Sequence, residues 1–365
     1  MTLEIGIVGL PNVGKSTLFN ALTRAGAAVA AYPFTTIEPN VGVVPLADTR
    51  LDAIARVIHP EQVVPTTVRF VDIAGLVQGA HRGDGLGNQF LGHIRGVDAI
   101  AMVVRCFQAG DVAHVTEVLD PVRDIEVIDT ELLLADLAVL ERRVEKVRAA
   151  AKGRPRDFAA ELAWLEGLAQ HLAAGQAARA YAVPAADESW TRDLPMLTGK
   201  PRMFVANVGE ESCPDGGPLA AAVVDRAAAE GAPAVVLCGL VEMGLQEWPA
   251  DEAATYLAEL GLGEPGLQRV ARTGYELLDL ITFFTATGGK VLHAWTVRRG
   301  ALAPEAAGRV HGDMERGFIR AEVVHWQDLV AAGGMVPARE RGHVLVHGRD
   351  YEVRDGDVMH FRFHV

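Results

Sequence analysis

The N-terminal residues contain the feature that most constrains what this chain can fold into. An apolar run ending at Val8 is followed by a loop that starts at Gly9 and carries Gly14, Lys15 and Ser16, the spacing of a phosphate-binding loop. An apolar helical pattern follows directly, so the loop has the strand and the helix on either side that this motif requires. The sequence therefore predicts an α/β domain with a phosphate site where the helix begins.

Each residue type in this loop suits a bound phosphate. The glycines let successive backbone N–H groups turn toward phosphate oxygens, and the helix dipole adds to the attraction. We expect Lys15 to contact the β- and γ-phosphates and the hydroxyl of Ser16 to ligate Mg²⁺. The residues expected to bind a nucleotide through this loop are Asn12, Val13, Gly14, Lys15, Ser16 and Thr17.

Two segments downstream have the pattern of nucleotide-sensing switches. Residues 32–40 hold two prolines and adjacent threonines, which favours a loop in which Thr36 contacts Mg²⁺ and the γ-phosphate; the alternative is a surface hydroxyl. A strand pattern ends in Asp72-Ile-Ala-Gly75, where Asp72 would hold a water on Mg²⁺ and the Gly75 N–H would meet the γ-phosphate. Leu76 follows, so the glutamine that orients the attacking water in many GTPases is absent.

Two later strand ends are expected to contact the base. The first reads Asn207-Val-Gly-Glu210, where guanine-specific proteins carry Asn-Lys-x-Asp. Val208 lacks the lysine stem and Glu210 has one methylene more than aspartate, so guanine specificity should be weakened. Asn207 can still pair with N7 and the exocyclic amine of adenine. Cys238, at the end of the next strand, completes the expected base contacts.

Hydrophobic periodicity predicts a helical hairpin inserted in the α/β domain. Apolar residues recur at helical spacing from Ile125 to Ala151 and again from Phe158 to Leu172, and Gly153-Arg-Pro155 supplies the turn. Seven basic residues cluster near the tip and form either a solvated helix face or a local phosphate-binding patch. They are Arg142, Arg143, Lys146, Arg148, Lys152, Arg154 and Arg156.

The chain becomes β-rich again near residue 281, which predicts a separate C-terminal domain. The expected division assigns residues 1–120 and 196–279 to the nucleotide-binding domain and residues 121–195 to the helical insertion. Residues 280–365 form the expected C-terminal domain.

Composition limits the classes of partner. With 50% hydrophobic and 22% charged residues the chain is globular, and its net charge of −13 disfavours non-specific nucleic-acid binding. We see no signal peptide and no apolar stretch of membrane-spanning length, so we expect a cytoplasmic protein without a membrane partner or DNA sequence specificity. The three cysteines are too widely spaced for a disulfide framework or a zinc site.

Taken together, the motifs make this sequence resemble the YchF/Obg-like ATPase family over essentially its whole length. The motifs that carry the resemblance are residues 9–17, 32–40, 72–76, 207–210 and 355–363. The resemblance implies a P-loop G domain with a mostly parallel sheet, an inserted α-helical coiled-coil hairpin, and a small, β-rich (α+β) C-terminal TGS domain.

The same resemblance implies a function and a catalytic arrangement. It implies ATP preferred over GTP, association with the ribosome through its large subunit and rRNA, and a hydrophobic residue, here Leu76, in place of the catalytic glutamine. It also implies that His114 assists hydrolysis, the alternative being a structural loop histidine. The expected catalytic residues are thus Lys15, Thr36, Gly75 and His114, and the expected metal ligands are Ser16, Thr36 and Asp72.

The sequence therefore predicts a Mg²⁺-dependent ATPase that acts as a ribosome-associated nucleotide switch. Asn12 adds the possibility of K⁺ as a second cation. One alternative is a GTP-specific enzyme, and another is a passive nucleotide-gated module that binds ribosomes or RNA with negligible hydrolysis. A small-molecule kinase is disfavoured because the switches at Thr36 and Asp72 would be superfluous.

Overall fold

The N-terminal apolar run forms a central strand of a sheet that carries the phosphate-binding loop. The computed structural model of the chain describes residues 3–27, 40–73, 86–108, 119–183, 194–287 and 289–364. Across this first sheet the order is β2-β4-β1-β5-β6-β7. These strands are β1 (Glu4–Val8), β2 (Val41–Pro45), β4 (Thr67–Asp72), β5 (Ala99–Cys106), β6 (Arg202–Val208) and β7 (Ala234–Leu237).

The first sheet is mostly parallel, as predicted. Strand β1 pairs in parallel with β4 and β5, and the parallel ladder continues through β6 to β7. Every residue of β5 and β6 is buried, which is expected of parallel strands covered on both faces. Parallel pairing brings the carboxyl ends of these strands to one edge, where ligands bind in such sheets.

Helices follow the strands of this sheet. The helix after β1 is α1 (Lys15–Ala27), and its backbone continues the phosphate-binding loop because the Leu18 N–H donates to the Gly14 carbonyl at 3.0 Å. The other helices in this part of the chain are α3 (Leu86–Gly96), α6 (Gly217–Ala229), α7 (Gly239–Leu245), α8 (Ala250–Glu259) and α9 (Gly266–Leu277).

The predicted helical hairpin is confirmed as α4 (Pro121–Ala151) and α5 (Pro155–Ala173). Leu140 and Val144 of the first helix pack against Leu165 and Leu168 of the second. Three of the basic residues near the tip lie against carboxylates of the hairpin itself, so part of the positive charge is compensated locally. The pairs are Arg143 with Glu161 at 2.7 Å, Arg148 with Glu166 at 2.6 Å, and Arg154 with Asp157 at 4.0 Å.

The C-terminal part builds a second sheet of order β11-β10-β12-β8-β9-β3. Its strands are β3 (Gln62–Val64), β8 (Leu280–Thr287), β9 (Val291–Arg298), β10 (Phe318–His325), β11 (Leu345–His347) and β12 (Asp357–Phe363). Its helices are α10 (Ala303–Val310), α11 (Gly312–Arg316), α12 (Trp326–Ala332) and α13 (Met335–Glu340). The predicted β-rich C-terminal segment therefore exists and contains helices as well as strands.

An early segment of the chain packs with this C-terminal unit. Strand β3 pairs in parallel with β9, Gln62 lying opposite Val291. Leu51, from helix α2 (Thr49–Ile58), shares a core with Phe284 and Leu329. Residues 43–68 and 271–365 accordingly belong to one compact unit. The sequence pattern assigned the early segment to the nucleotide-binding domain, and those domain boundaries stay predictions.

Two expectations drawn from composition concern cysteines and membranes. Cys106 and Cys238 are buried and Cys213 is half-buried, and all three are free thiols. Within the ranges that the structure describes, no helix has both the length and the apolar character needed to cross a membrane.

Asp136 fixes helix α4 to the segment that precedes β6, and its replacement should destabilise the hairpin. Its buried carboxylate accepts from the Leu197 N–H and the Thr198 N–H, each at 2.8 Å, and from the Thr198 hydroxyl at 2.7 Å. Asp136→Ala leaves two buried backbone donors without a partner and should lower the free energy of unfolding by about 2–4 kcal/mol. Urea unfolding followed by helical circular dichroism measures this loss.

The matched control is Asp157→Ala, which removes an exposed carboxylate from the same hairpin. We expect this variant to lose less than about 0.5 kcal/mol. A loss for Asp136→Ala no larger than that of the control would contradict the role assigned to Asp136.

Candidate nucleotide-binding site

The loop between β1 and α1 has a backbone that only particular residues can adopt. Gly14 has φ +87° and Asn12 has φ +63°, both in the left-handed region. A Cβ atom at Gly14 would also lie 2.1 Å from Nδ2 of Asn207, which is buried. Glycine is therefore required at this position by both conformation and space.

Asn207 joins the loop to the ends of two further strands. Its Nδ2 donates to the Val13 carbonyl at 2.9 Å, and its Oδ1 accepts from the Gly239 N–H at 2.9 Å. The side chain is 4% exposed, so both hydrogen bonds lie away from water. The sequence assigned Asn207 to the base; in the structure its amide also fixes the loop against the exits of β6 and β7.

Lys15 and Asp72 lie in direct contact at the carboxyl edge of the sheet. The Lys15 ammonium donates to Oδ1 of Asp72, and both side chains are largely buried. The Asp72 backbone is fixed in turn, since its N–H donates to the Asn40 carbonyl at 2.9 Å. The structure thus brings together the predicted phosphate-binding cation and one of the predicted metal ligands.

The donor set at this edge fits Mg²⁺. A carboxylate from Asp72 and a hydroxyl from Ser16 are the oxygen donors that this ion takes, and the remaining positions are usually filled by water and phosphate oxygens. Among the described residues, no cluster of three or more acidic, histidine or cysteine side chains that could hold a metal ion occurs.

Arg105 contacts the phosphate-binding loop and was not predicted from the sequence. Its Nη1 lies 3.5 Å from the Asn12 carbonyl, and its Nε donates to the Phe107 carbonyl at 3.1 Å. The guanidinium also lies 4.7 Å from the centroid of the Phe107 ring. The sequence did contain a signal for this residue. Arg105 lies in the apolar strand β5, where an arginine is buried and therefore needs partners.

A cavity of about 880 Å³ lies beside the phosphate-binding loop. Its walls are the phosphate-binding loop, Phe107 and Gln108 after β5, the residues from Asn207 to Glu211, and Leu240. Leu240 is 70% exposed, so an apolar side chain lies where an aromatic base can pack. The predicted residue Cys238 is buried and is not among the residues that line the cavity, and burial raises the pKa of its thiol, which keeps the thiol neutral.

Glu210 also lines the cavity, and its hydrogen-bond partner was not predicted from the sequence. The hydroxyl of Tyr256, on α8, donates to Oε1 of Glu210. The ring of Trp248 packs against the Tyr256 ring edge-on, with centroids 4.8 Å apart and planes at 77°. Val208, the other residue that departs from the guanine pattern, is buried.

Four predicted positions lie outside the described residues. They are Thr36, Gly75, Leu76 and His114. Their roles stay predictions from the sequence.

A second cavity, of about 890 Å³, lies at the base of the hairpin. Its arginines are paired internally: Arg202 contacts both Asp129 and Glu230, and Arg226 donates to Glu230 at 2.6 Å. Arg179 lies 3.6 Å from the same glutamate. This network compensates its own charges and connects the hairpin to β6 and α6, so we assign it a structural role.

The loop with Lys15, the contact of Lys15 with Asp72 and the cavity that the loop borders define a P-loop nucleotide-binding protein. Comparison with known sequences is more specific. The chain is 50% identical to the protein named ribosome-binding ATPase YchF of Escherichia coli O157:H7 and 46% identical to that of Bacillus subtilis, covering all of each chain. The chain therefore belongs to the YchF family.

Two family models and one solved structure agree with this assignment. Residues 4–141 match a family described as 50S ribosome-binding GTPase. Residues 280–364 match the YchF-GTPase C-terminal family, described as a protein of unknown function. The structure of the Schizosaccharomyces pombe YchF GTPase superimposes with a TM-score of 0.89 at 33% identity, covering 99% of this chain and 98% of that one. The predicted fold class is confirmed as a P-loop G domain with a mostly parallel sheet, helices and a β-rich C-terminal domain.

Gly14→Ala should impair the site without removing any side-chain ligand. Alanine at this position would have to adopt a φ that is rare for it, and its methyl group would collide with Asn207. The loop and the Asn207 amide would therefore have to move apart. We expect nucleotide affinity to fall at least about tenfold, measured by titration calorimetry with ADP. Gly92→Ala is the control, because a Cβ there meets no atom within 4 Å. Equal affinities of the two variants would refute the steric argument.

Proposed function

We propose that this chain is a Mg²⁺-dependent ATPase that prefers ATP over GTP and works in the cytoplasm as a ribosome-associated nucleotide switch. The observation that carries the proposal is the contact between Lys15 and Asp72 beside the Gly14 loop, because it brings a phosphate-binding cation and a metal-binding carboxylate together. The cavity that extends from this contact to Glu210 supplies the space for a nucleoside.

At the phosphate end of the site, the residues of this chain act mainly by holding the phosphate groups and the metal ion in place. Backbone N–H groups of the loop and the start of α1 bind the phosphate oxygens, and Lys15 leaves Asp72 to neutralise charge on the β- and γ-phosphates. Ser16 and Asp72 would hold the metal ion, directly or through water. Mg²⁺, when bound, would supply positive charge that stabilises the negatively charged phosphates.

The base end supports adenine more than guanine. Guanine-specific sites use an aspartate that accepts from N1–H and the 2-amino group, whereas Glu210 is longer and already engaged by Tyr256. The missing lysine at Val208 removes the stem that would pack on the base. Asn207 uses one N–H on Val13 and retains a second for N7 of a purine.

Hydrolysis requires groups beyond the described residues. The sequence assigns contacts with the γ-phosphate to Thr36 and Gly75 and a role in orienting or deprotonating water to His114. With Leu76 in place of glutamine, we expect slow basal turnover that a partner can raise. We also propose that Asn12 helps to bind K⁺ as a second cation.

The ribosomal partner is proposed from the relatives. Proteins that share half of this sequence are named ribosome-binding ATPases, and a family described as 50S ribosome-binding GTPase matches residues 4–141. We extend this to the large subunit and its rRNA, with the hairpin and the C-terminal unit as the contacting parts. The net charge of −13 requires any RNA contact to be local.

A second candidate is a nucleotide-gated ribosome-binding module whose hydrolysis is incidental. Leu76 is the feature that favours it, since leucine cannot hydrogen-bond a water. The two candidates differ in whether ribosomes accelerate turnover.

The adenine preference is tested by equilibrium binding of ADP and GDP in the presence of Mg²⁺. ADP and GDP are used because they lack the γ-phosphate, so the protein cannot hydrolyse it during the titration. We expect ADP to bind about tenfold more tightly, the discrimination that one well-placed set of base contacts supplies. Equal dissociation constants would contradict the preference for ATP and leave the phosphate site unaffected.

The catalytic proposal is tested by ATP turnover with and without ribosomes. Ribosomes should raise the wild-type rate, and Lys15→Ala should lower it by roughly 10²–10³-fold because a cation on the transferred phosphate is lost. Lys290→Ala, at an exposed lysine remote in sequence from the loop, is the control for turnover measured without ribosomes. Turnover that ribosomes do not change would favour the passive module, and activity retained by Lys15→Ala would reveal a contaminating enzyme.

A further inference from the structure

The contact between Tyr256 and Glu210 has no counterpart in the motif that led to this site. Glu210 follows β6 directly, whereas Tyr256 lies on α8, 46 residues later. Both side chains belong to the same compact unit as the phosphate-binding loop. The Trp248 ring, packed edge-on, restricts the tyrosine ring and therefore the direction of its hydroxyl.

The tyrosine is the donor in this hydrogen bond. The hydrogen bond to the Glu210 carboxylate raises the pKa of Tyr256 to about 12, so the phenol stays protonated at neutral pH. An ionised carboxylate only accepts, so the Tyr256 hydroxyl takes one of the acceptor sites of Oε1 and leaves Oε2 as the less restricted oxygen of Glu210.

Purines differ at the edge that a carboxylate in this position meets. Guanine presents two donors there, N1–H and the 2-amino group, and a carboxylate with both oxygens available accepts from both. Adenine presents an unprotonated N1, whose lone pair is repelled by a carboxylate. A carboxylate at this place thus favours guanine, and a donor that engages it reduces this bias.

We propose that Tyr256 is a specificity-determining residue of the nucleotide site: its hydroxyl holds the Glu210 carboxylate so that guanine loses an acceptor and adenine loses a repulsive neighbour. The proposal rests on the proposed function, because it explains the preference for ATP. Tyr256 acts through Glu210 and is a positioning residue.

The test is the ratio of the dissociation constants of GDP and ADP, measured by titration calorimetry with Mg²⁺ for the wild type and Tyr256→Phe. Removing the hydroxyl releases Oε1, so the GDP:ADP ratio should fall by about tenfold, the effect of one hydrogen bond to a charged group in a partly exposed site. Tyr181→Phe is the matched control, because Tyr181 packs against His171 and Trp164 in the hairpin. The control should leave the ratio unchanged.

Repeating the change in a Glu210→Gln background separates positioning from a general effect on the fold. A glutamine cannot offer two acceptor oxygens, so Tyr256→Phe should no longer shift the ratio there. An unchanged ratio in the wild-type background overturns the proposal. An equal shift in both backgrounds overturns it as well, because the effect would then not pass through the carboxylate.

The wild-type ratio distinguishes failure of this inference from failure of the proposed function. If the wild type prefers ADP and Tyr256→Phe has no effect, adenine preference stands and only the role of Tyr256 is refuted. If the wild type binds both diphosphates equally but Tyr256→Phe shifts the ratio toward GDP, the role of Tyr256 stands and the proposed ATP preference is refuted.

Discussion

The buried amide of Asn207 is the interaction on which the nucleotide site depends. It connects the Val13 carbonyl, 194 residues earlier in the chain, with the Gly239 N–H that starts α7. A buried amide must have its hydrogen bonds satisfied, so the loop, β6 and α7 are fixed relative to one another. Gly14 makes this possible, because any larger residue there would occupy the place of Nδ2.

At the phosphate end of the site, an ion pair has a similar role. Lys15 and Asp72 compensate each other in the structure, and the proposed function gives each of them a different partner, a phosphate group for the lysine and a metal ion for the carboxylate. On that proposal, a phosphate that draws the lysine away would free the carboxylate for the ion. We therefore expect metal and nucleotide to bind in a mutually dependent manner, since either one alone leaves a charge of this pair without its partner.

Local patterns predicted much of the fold and of the phosphate end. The spacing of Gly14, Lys15 and Ser16 indicated the loop, and helical periodicity indicated both helices of the hairpin, because these signals arise within a few residues of one another. The pairing of β3 with β9 could not be predicted in this way, since it joins residues more than two hundred positions apart and neither strand specifies its partner. The contact between Tyr256 and Glu210 is of the same kind: an exposed helix residue gives no sign of which carboxylate it meets.

The phosphate end is specified by a local sequence pattern, whereas the base end depends on contacts between distant residues. This difference explains why phosphate chemistry and base choice can change separately. The phosphate end is specified by backbone geometry within one short loop, so every protein that keeps this loop keeps its chemistry. The base end is assembled from side chains on β6, α7 and α8, and one hydroxyl there alters what a carboxylate offers to a purine.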